Sequence, residues 1–143
     1  MPILTPRIPG ERHAGILIHE NQILLIHRKK NSYEYWVIPG GGREEGETGE
    51  QTVIREILEE TGISVPKVDL LYQFQTDKGA GEPQTDFIYR GSDFPFQLPQ
   101  LIGEEKDHNS AQDFYEPQWI DLPKAKTLNI LPIHLKEYLV KNF

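Results

Sequence analysis

The 143-residue chain has no cysteine and a single methionine. Without thiols it can form neither disulfides nor thiolate metal centres. That absence is compatible with a reducing compartment, and a cytoplasmic location is expected. Long apolar runs are missing as well. Segments such as Ile23 to Ile26 fall far short of the roughly 20 residues that cross a bilayer. Pro2 to Pro9 lacks the apolar core of a signal peptide, so no membrane partner is expected. Nor is there any basic excess: 15 Lys and Arg stand against 22 Asp and Glu, for a net charge of −7. Non-specific nucleic-acid binding is therefore disfavoured, and no nucleic-acid partner is expected. The histidines at 13, 19, 27, 108 and 134 show no zinc-ligand spacing, and the chain has no internal repeat. What remains is ordinary for a globular protein, with 37% hydrophobic and 26% charged residues. One domain spanning residues 1–143, large enough for a real core, is the expectation.

The most informative stretch runs from Gly41 to Ile63. Seven carboxylates fall between Glu44 and Glu60. Thr48 with Gln51 three residues later makes a capping box, and no Gly or Pro interrupts Glu50 to Glu60. Gly62 supplies the left-handed stop. On a wheel turning about 100° per residue, Glu56, Glu59 and Glu60 share one face. Ile54, Ile57 and Leu58 share the other, which is expected to pack on a sheet. Like charges three and four apart repel, so the acidic face is either a solvated charge run or a hard-cation site. Carboxylate oxygens suit Mg²⁺ or Mn²⁺. The preceding Pro39-Gly40-Gly41-Gly42 can bring bare backbone close to a metal or a phosphate. It is not a Walker loop, since no Gly-Lys-Ser/Thr follows.

Gly41, five residues, Glu47, seven residues, then Arg55-Glu56-Ile57-Leu58-Glu59-Glu60-Thr61-Gly62-Ile63 resembles the box of the Nudix hydrolases (MutT-like) at every fixed position. Trp36-Val37-Ile38-Pro39-Gly40 looks like its usual entry. The resemblance implies the Nudix fold, an α/β arrangement with a mixed β-sheet sandwiched between α-helices. It implies metal-dependent hydrolysis of a phosphoanhydride in a nucleoside diphosphate linked to another moiety, with Mg²⁺ or Mn²⁺ as cofactor. Glu56, Glu59 and Glu60 would hold the metal, with the Gly40 carbonyl as a further ligand. Glu56 or Glu59 would be the base that deprotonates the attacking water. Arg55 and Glu47 would pair to orient the loop. The partner would be a small nucleotide or another organic pyrophosphate. Family members are often dimers, which makes a homodimer the expected assembly. The alternative is a non-catalytic Nudix-fold sensor that binds a nucleotide; such modules tend to lose box carboxylates, and here all of them stand.

Outside the box, a further acidic ligand is expected from a later loop, with Glu104 and Glu105 ranked first, then Asp113, then Glu116. Arg28 is a candidate for gripping a substrate phosphate. Gly41 and Tyr35 are candidates for substrate contact. Tyr33, Phe87 and Tyr89 are either base-stacking or packing residues, and His108 is a candidate acid or base. Trp119, in Phe114-Tyr115-Glu116-Pro117-Gln118-Trp119, is expected in the core. The rest reads as an irregular arm over 1–11, strands over 12–20, 22–28, 35–38, 68–76, 86–90 and 114–121, a hairpin turn at Glu20-Asn21 and a loop at Asn31-Ser32. A short helical piece opens at Leu122-Pro123. A terminal helix over 131–142 should bury Ile133, Leu135, Tyr138 and Leu139. The substrate is not readable: the extra motifs of NADH and coenzyme A pyrophosphatases are absent. Pro66 and Tyr72 lie too early to serve as the ADP-ribose or dinucleoside-polyphosphate markers.

Overall fold

A computed structural model describes residues 6–77, 83–100 and 113–143. Glu104, Glu105 and His108 lie outside the described residues.

The hairpin turn at Glu20-Asn21 forms where expected, and the loop expected at Asn31-Ser32 is a second tight turn. Glu20, Asn21, Asn31 and Ser32 all take positive φ, the geometry of tight two-residue connections. The first turn joins β2 (Ile18–His19) to β3 (Gln22–Lys30), and the second joins β3 to β4 (Tyr33–Val37). β3 also pairs antiparallel along its whole length with β8 (Asp113–Asp121). The segment expected as one strand from Arg12 to Glu20 is divided: β1 (Glu11–Ile16) belongs to a different sheet from β2. In that sheet β1 lies between β5 (Gly40–Gly41) and β7 (Pro83–Ser92), antiparallel to the first and parallel to the second. β6 (Lys67–Asp77) completes it as the outer strand, antiparallel to β7 with a bulge between Leu70 and Tyr72. Sheets between helices are thus present, as expected, the β5-β1-β7-β6 sheet mixed and the sheet around β3 antiparallel.

Alternation along the strands creates two cores, because successive side chains point to opposite faces. Leu17, Leu24 and Tyr89 join Val53 and Ile57 of α1 (Gly49–Thr61) on one face. Ile16, Ile23, Leu25 and Ile88 join residues of α2 (Leu122–Ala125) and α3 (Ile133–Asn142) on the other. Trp119 packs on the α1 side, and its indole N–H donates to the Gln97 carbonyl at 2.9 Å.

Helix α1 begins and ends as its sequence dictates. Gln51 N–H donates to Thr48 Oγ1 at 3.1 Å, and Thr48 N–H donates to Gln51 Oε1 at 2.9 Å. Gly62, at φ 77°, donates its N–H to the Leu58 carbonyl. The buried stripe differs from expectation. It comprises Thr52, Val53, Glu56, Ile57, Glu60 and Thr61, an arc of about 180° centred between the aliphatic and acidic faces of the wheel. Leu58 falls outside that arc and is 40% exposed; it does not pack on the sheet. Two of the three carboxylates are inside it.

Helix α3 also departs from expectation. Leu135 and Leu139 are buried and Tyr138 packs against the same core, but Ile133 is 62% exposed. The inward position at the helix start belongs to His134. Its Nε2 lies 2.8 Å from Asp86 Oδ2 and its Nδ1 lies 3.0 Å from the Tyr72 hydroxyl. This satisfied polar anchor fixes the rotation of the helix and turns Ile133 outward. Among the described residues, no helix is long and apolar enough to cross a membrane.

Candidate active site

The loop from Pro39 to Thr48 is tied to α1 through Glu47. Its carboxylate receives a two-pronged grip from Arg55, with Nε to Oε2 at 2.7 Å and Nη2 to Oε1 at 3.0 Å. It also accepts from the Glu44 N–H and the Thr52 hydroxyl. The Arg55 guanidinium holds the Glu47 carboxyl down at about 2, against 4.5 ordinarily. Arg55 is raised in return, chiefly by Glu47. The same guanidinium reaches Glu56 Oε1 at 2.9 Å, Glu59 Oε2 at 3.3 Å and the Gly42 carbonyl at 3.3 Å. Arg55 is therefore a hub that locks loop, helix and box carboxylates into one unit.

A second clamp, not anticipated from sequence, fixes the other side of the loop. Arg43 grips Glu11 with two bonds of 3.0 Å and donates to the Glu47 carbonyl at 3.1 Å. Glu11 also meets His13, whose other ring nitrogen lies 3.0 Å from the Tyr89 hydroxyl. Arg43 holds the Glu11 carboxyl at about 2. Phe87 stacks on His13, so Phe87 and Tyr89 serve packing and support.

Beside this framework lies a cavity of about 600 Å³. Glu56, Glu60 and the glycines of the loop form one wall, and Arg7, Arg12 and Arg28 face them. Glu56 and Glu60 are buried, while the Glu59 side chain is half exposed and turned to Arg55. Gly41 backbone packs directly on Glu56: a Cβ there would lie 2.5 Å from the carboxylate. Gly40 N–H donates to Glu60 Oε2 at 2.8 Å, and the Tyr115 hydroxyl donates to Glu60 Oε1. Burial first, and Glu56 second among the raising influences, push the Glu60 carboxyl up to about 8. Burial also pushes Glu56 upward, against the pull of Arg55 and Arg7. Tyr115 is raised by burial and by Glu60.

The other sequence candidates distribute as follows. Arg28 reaches the cavity with its guanidinium 4.3 Å from the centre of the Tyr115 ring and 5.9 Å from that of Tyr35. Its Nε is buried with no hydrogen-bond partner among the described residues. Tyr35 thus flanks Arg28, whereas Tyr33 is exposed on the hairpin. Asp113 lines the cavity; Glu116 is exposed, opposite His27 in the β3–β8 register. Arg7, Arg12 and Tyr115 were missed. Alternation could have found Tyr115, because it shares a strand face with Trp119, which packs toward α1.

Among the described residues, no three His, Asp or Glu side chains are gathered as a ready-made metal cluster. The chemistry of the buried pair nevertheless fits a hard divalent cation. Glu56 and Glu60 offer only carboxylate oxygens, each is driven toward the neutral form by burial, and like charge adds to this, from Glu59 on Glu56 and from Glu56 on Glu60. A nearby dication would relieve that cost, and carboxylates are the donors that Mg²⁺ and Mn²⁺ prefer.

Known proteins place this geometry in a family. The NUDIX domain model matches residues 10–138. The chain belongs to the Nudix hydrolase family. An RNA pyrophosphohydrolase of Sphingopyxis alaskensis is 30% identical, with 96% of this chain and 94% of that protein covered. An ADP-ribose pyrophosphatase of Methanocaldococcus jannaschii is 52% identical over 64 residues, which covers 44% of this chain and 37% of that protein. The solution structure of the E. coli ORF135 protein superposes with a TM-score of 0.68 at 25% identity, covering 89% of this chain and 85% of that one. The two-sheet sandwich is accordingly the Nudix fold, and the clamped loop and helix α1 are its box.

Proposed function

We propose that this Nudix hydrolase is a pyrophosphohydrolase that cleaves a phosphoanhydride bond in a nucleoside diphosphate linked to another moiety. Residues 1–143 would act as a single domain in the cytoplasm, with a homodimer as the assembly to test by light scattering. One observation carries the reading. Two buried carboxylates converge with three arginines on one cavity, beside a loop whose backbone lacks side chains.

A diphosphate resists water because its oxygens shield phosphorus with negative charge. Mg²⁺ or Mn²⁺, when bound, neutralises those oxygens and lowers the pKa of bound water. Glu56 and Glu60 would hold the cation, with Glu59 and the Gly40 carbonyl completing the box contribution. The water proton passes to Glu56 or Glu59. Of the two, Glu56 lines the cavity; such general-base help is worth about 10² to 10⁴-fold. Gly41 lets the loop backbone lie against Glu56, and that bare backbone would meet the substrate. Arg28, whose Nε has no partner among the described residues and whose face lies against Tyr115, is suited to a phosphate oxygen. Tyr35 flanks that position. Arg55 and Glu47 hold the loop on the helix and touch no substrate in this scheme.

The test is a substrate panel with Mg²⁺ or Mn²⁺: ADP-ribose, nucleoside triphosphates, dinucleoside polyphosphates, nucleotide sugars and 5′-triphosphorylated RNA. The last is included because a relative carries that activity in its name. Metal-dependent turnover of a small nucleotide class supports the reading. Turnover of the RNA alone would replace the substrate class. Tight nucleotide binding without turnover of anything would establish the sensor alternative.

A further inference from the structure

The arm preceding β1 is stitched to the box loop. Ile8 N–H donates to the Arg43 carbonyl at 2.7 Å, Glu45 N–H donates to the Pro6 carbonyl at 2.8 Å, and Arg7 pairs with Glu44 as an isolated antiparallel bridge. The arm is thereby held against the loop, and it carries the Arg7 side chain to the cavity. Arg7 Nη1 lies 3.2 Å from Glu56 Oε1 and 3.5 Å from the Gly42 carbonyl. The two partners differ in environment. The Glu56 side chain is 7% exposed, whereas that of Arg7 is 53% exposed.

We infer that Arg7 is a further substrate-binding residue, which counters the charge of Glu56 in the cation-free protein and grips the substrate's phosphate chain once a divalent cation takes Glu56. This rests on the reading of the site given above. A guanidinium and a dication cannot both use the same carboxylate oxygen at full strength. The dication is the stronger partner for a buried carboxylate, and Arg7 gives up little because it remains in water. Its five N–H donors are then free to fork onto phosphate oxygens. The other cavity arginines are differently committed. Arg12 donates to the Ile38 carbonyl at 3.1 Å, and Arg28 stacks on Tyr115. Arg7 alone of the three bonds a box carboxylate among the described residues.

The exchange predicts opposite effects on two ligands, which a merely structural arginine would not produce. Mn²⁺ alone is titrated by electron paramagnetic resonance, and methylene-bridged ADP is titrated by calorimetry in the presence of Ca²⁺. The proteins are wild type, Arg7→Ala, Arg7→Lys and Glu56→Gln, each checked for an unchanged melting temperature. Arg7→Ala should bind Mn²⁺ up to about fivefold more tightly, since a competing cation is gone. It should bind the ADP analogue roughly tenfold more weakly. Arg7→Lys should fall between the two on the analogue, because it keeps the charge and loses the fork. Unchanged affinities in Arg7→Ala, or weaker binding of both ligands, would overturn the assignment; the second result would make Arg7 a prop for Glu56. Failure of the underlying site reading looks different: wild type would bind no Mn²⁺, or Glu56→Gln would bind it as well as wild type.

Discussion

Replacing Gly41 by alanine isolates the contact between loop backbone and helix carboxylate. The added Cβ would sit 2.5 Å from both the carboxylate carbon and Oε1 of Glu56, and 2.8 Å from Oε2. Reaching the 3.4 Å of ordinary van der Waals contact requires a displacement of about 0.9 Å. The obstruction is the end of a side chain rather than backbone, so the fold can yield there, and a stability loss of about 1 kcal/mol is expected. Activity should suffer far more. A misplacement of about 1 Å in a reacting constellation costs on the order of 100-fold, and Glu56 cannot move freely while Arg55 holds its Oε1 at 2.9 Å. The neighbouring Gly42 is the comparison. The nearest atoms to a Cβ there, among the described residues, belong to the Arg7 side chain, at 3.4 Å and beyond, so Gly42→Ala should lose much less. The assay is kcat/KM on whichever substrate the panel identifies, beside a thermal melt. Gly41→Ala with kcat/KM within threefold of wild type would refute the placement of Glu56 against the loop.

Three further outcomes follow from the same geometry. In EDTA the protein should lose stability as pH rises from about 4.5 toward 8. The folded Glu60 keeps its proton up to about 8 while the unfolded chain releases it near 4.5, so the folded state binds more protons across that window. Melting temperatures at pH 5 and pH 8 measure this slope, which Glu60→Gln should flatten and saturating Mg²⁺ should oppose; a slope identical in Glu60→Gln refutes the assignment. Glu47→Gln should cost about 1–3 kcal/mol at pH 7 by removing the charged acceptor of the Arg55 grip. Because Arg55 holds that carboxyl near 2, this contribution should persist until pH falls below about 4.5 and vanish toward pH 2, as denaturant melts across that range would record. Ile57→Ala, at a fully buried position in the α1-side core, should cost about 2–5 kcal/mol in chemical denaturation.

How much of this could be read in advance differs by feature. The caps of α1 and the Glu20-Asn21 turn were legible, because each depends on local chemistry at fixed spacing; the Glu47–Arg55 pair was implied by the resemblance of the box. The inclusion of Glu56 and Glu60 in the buried stripe was not. A helical wheel orders residues around the axis but leaves open which arc meets the sheet, and a clean aliphatic face suggested Leu58 over Glu60. The division of residues 12–20 between two sheets was also hidden, since β1 finds its partners β5 and β7 far along the chain. His134 displaced Ile133 for a similar reason: Asp86 and Tyr72, its partners, lie on other elements. Arg7 and Arg12 reached the cavity from a proline-punctuated arm and a strand start that carry no motif. Long-range pairing supplied what periodicity could not.

The most direct test of the central claim is turnover of the panel's best substrate with saturating Mg²⁺, measured on wild type and Glu56→Gln side by side. The account predicts that the variant stays folded and loses activity by at least two orders of magnitude, in line with removal of a general base and cation ligand. Turnover that survives in Glu56→Gln, or that proceeds equally well in EDTA, would contradict it.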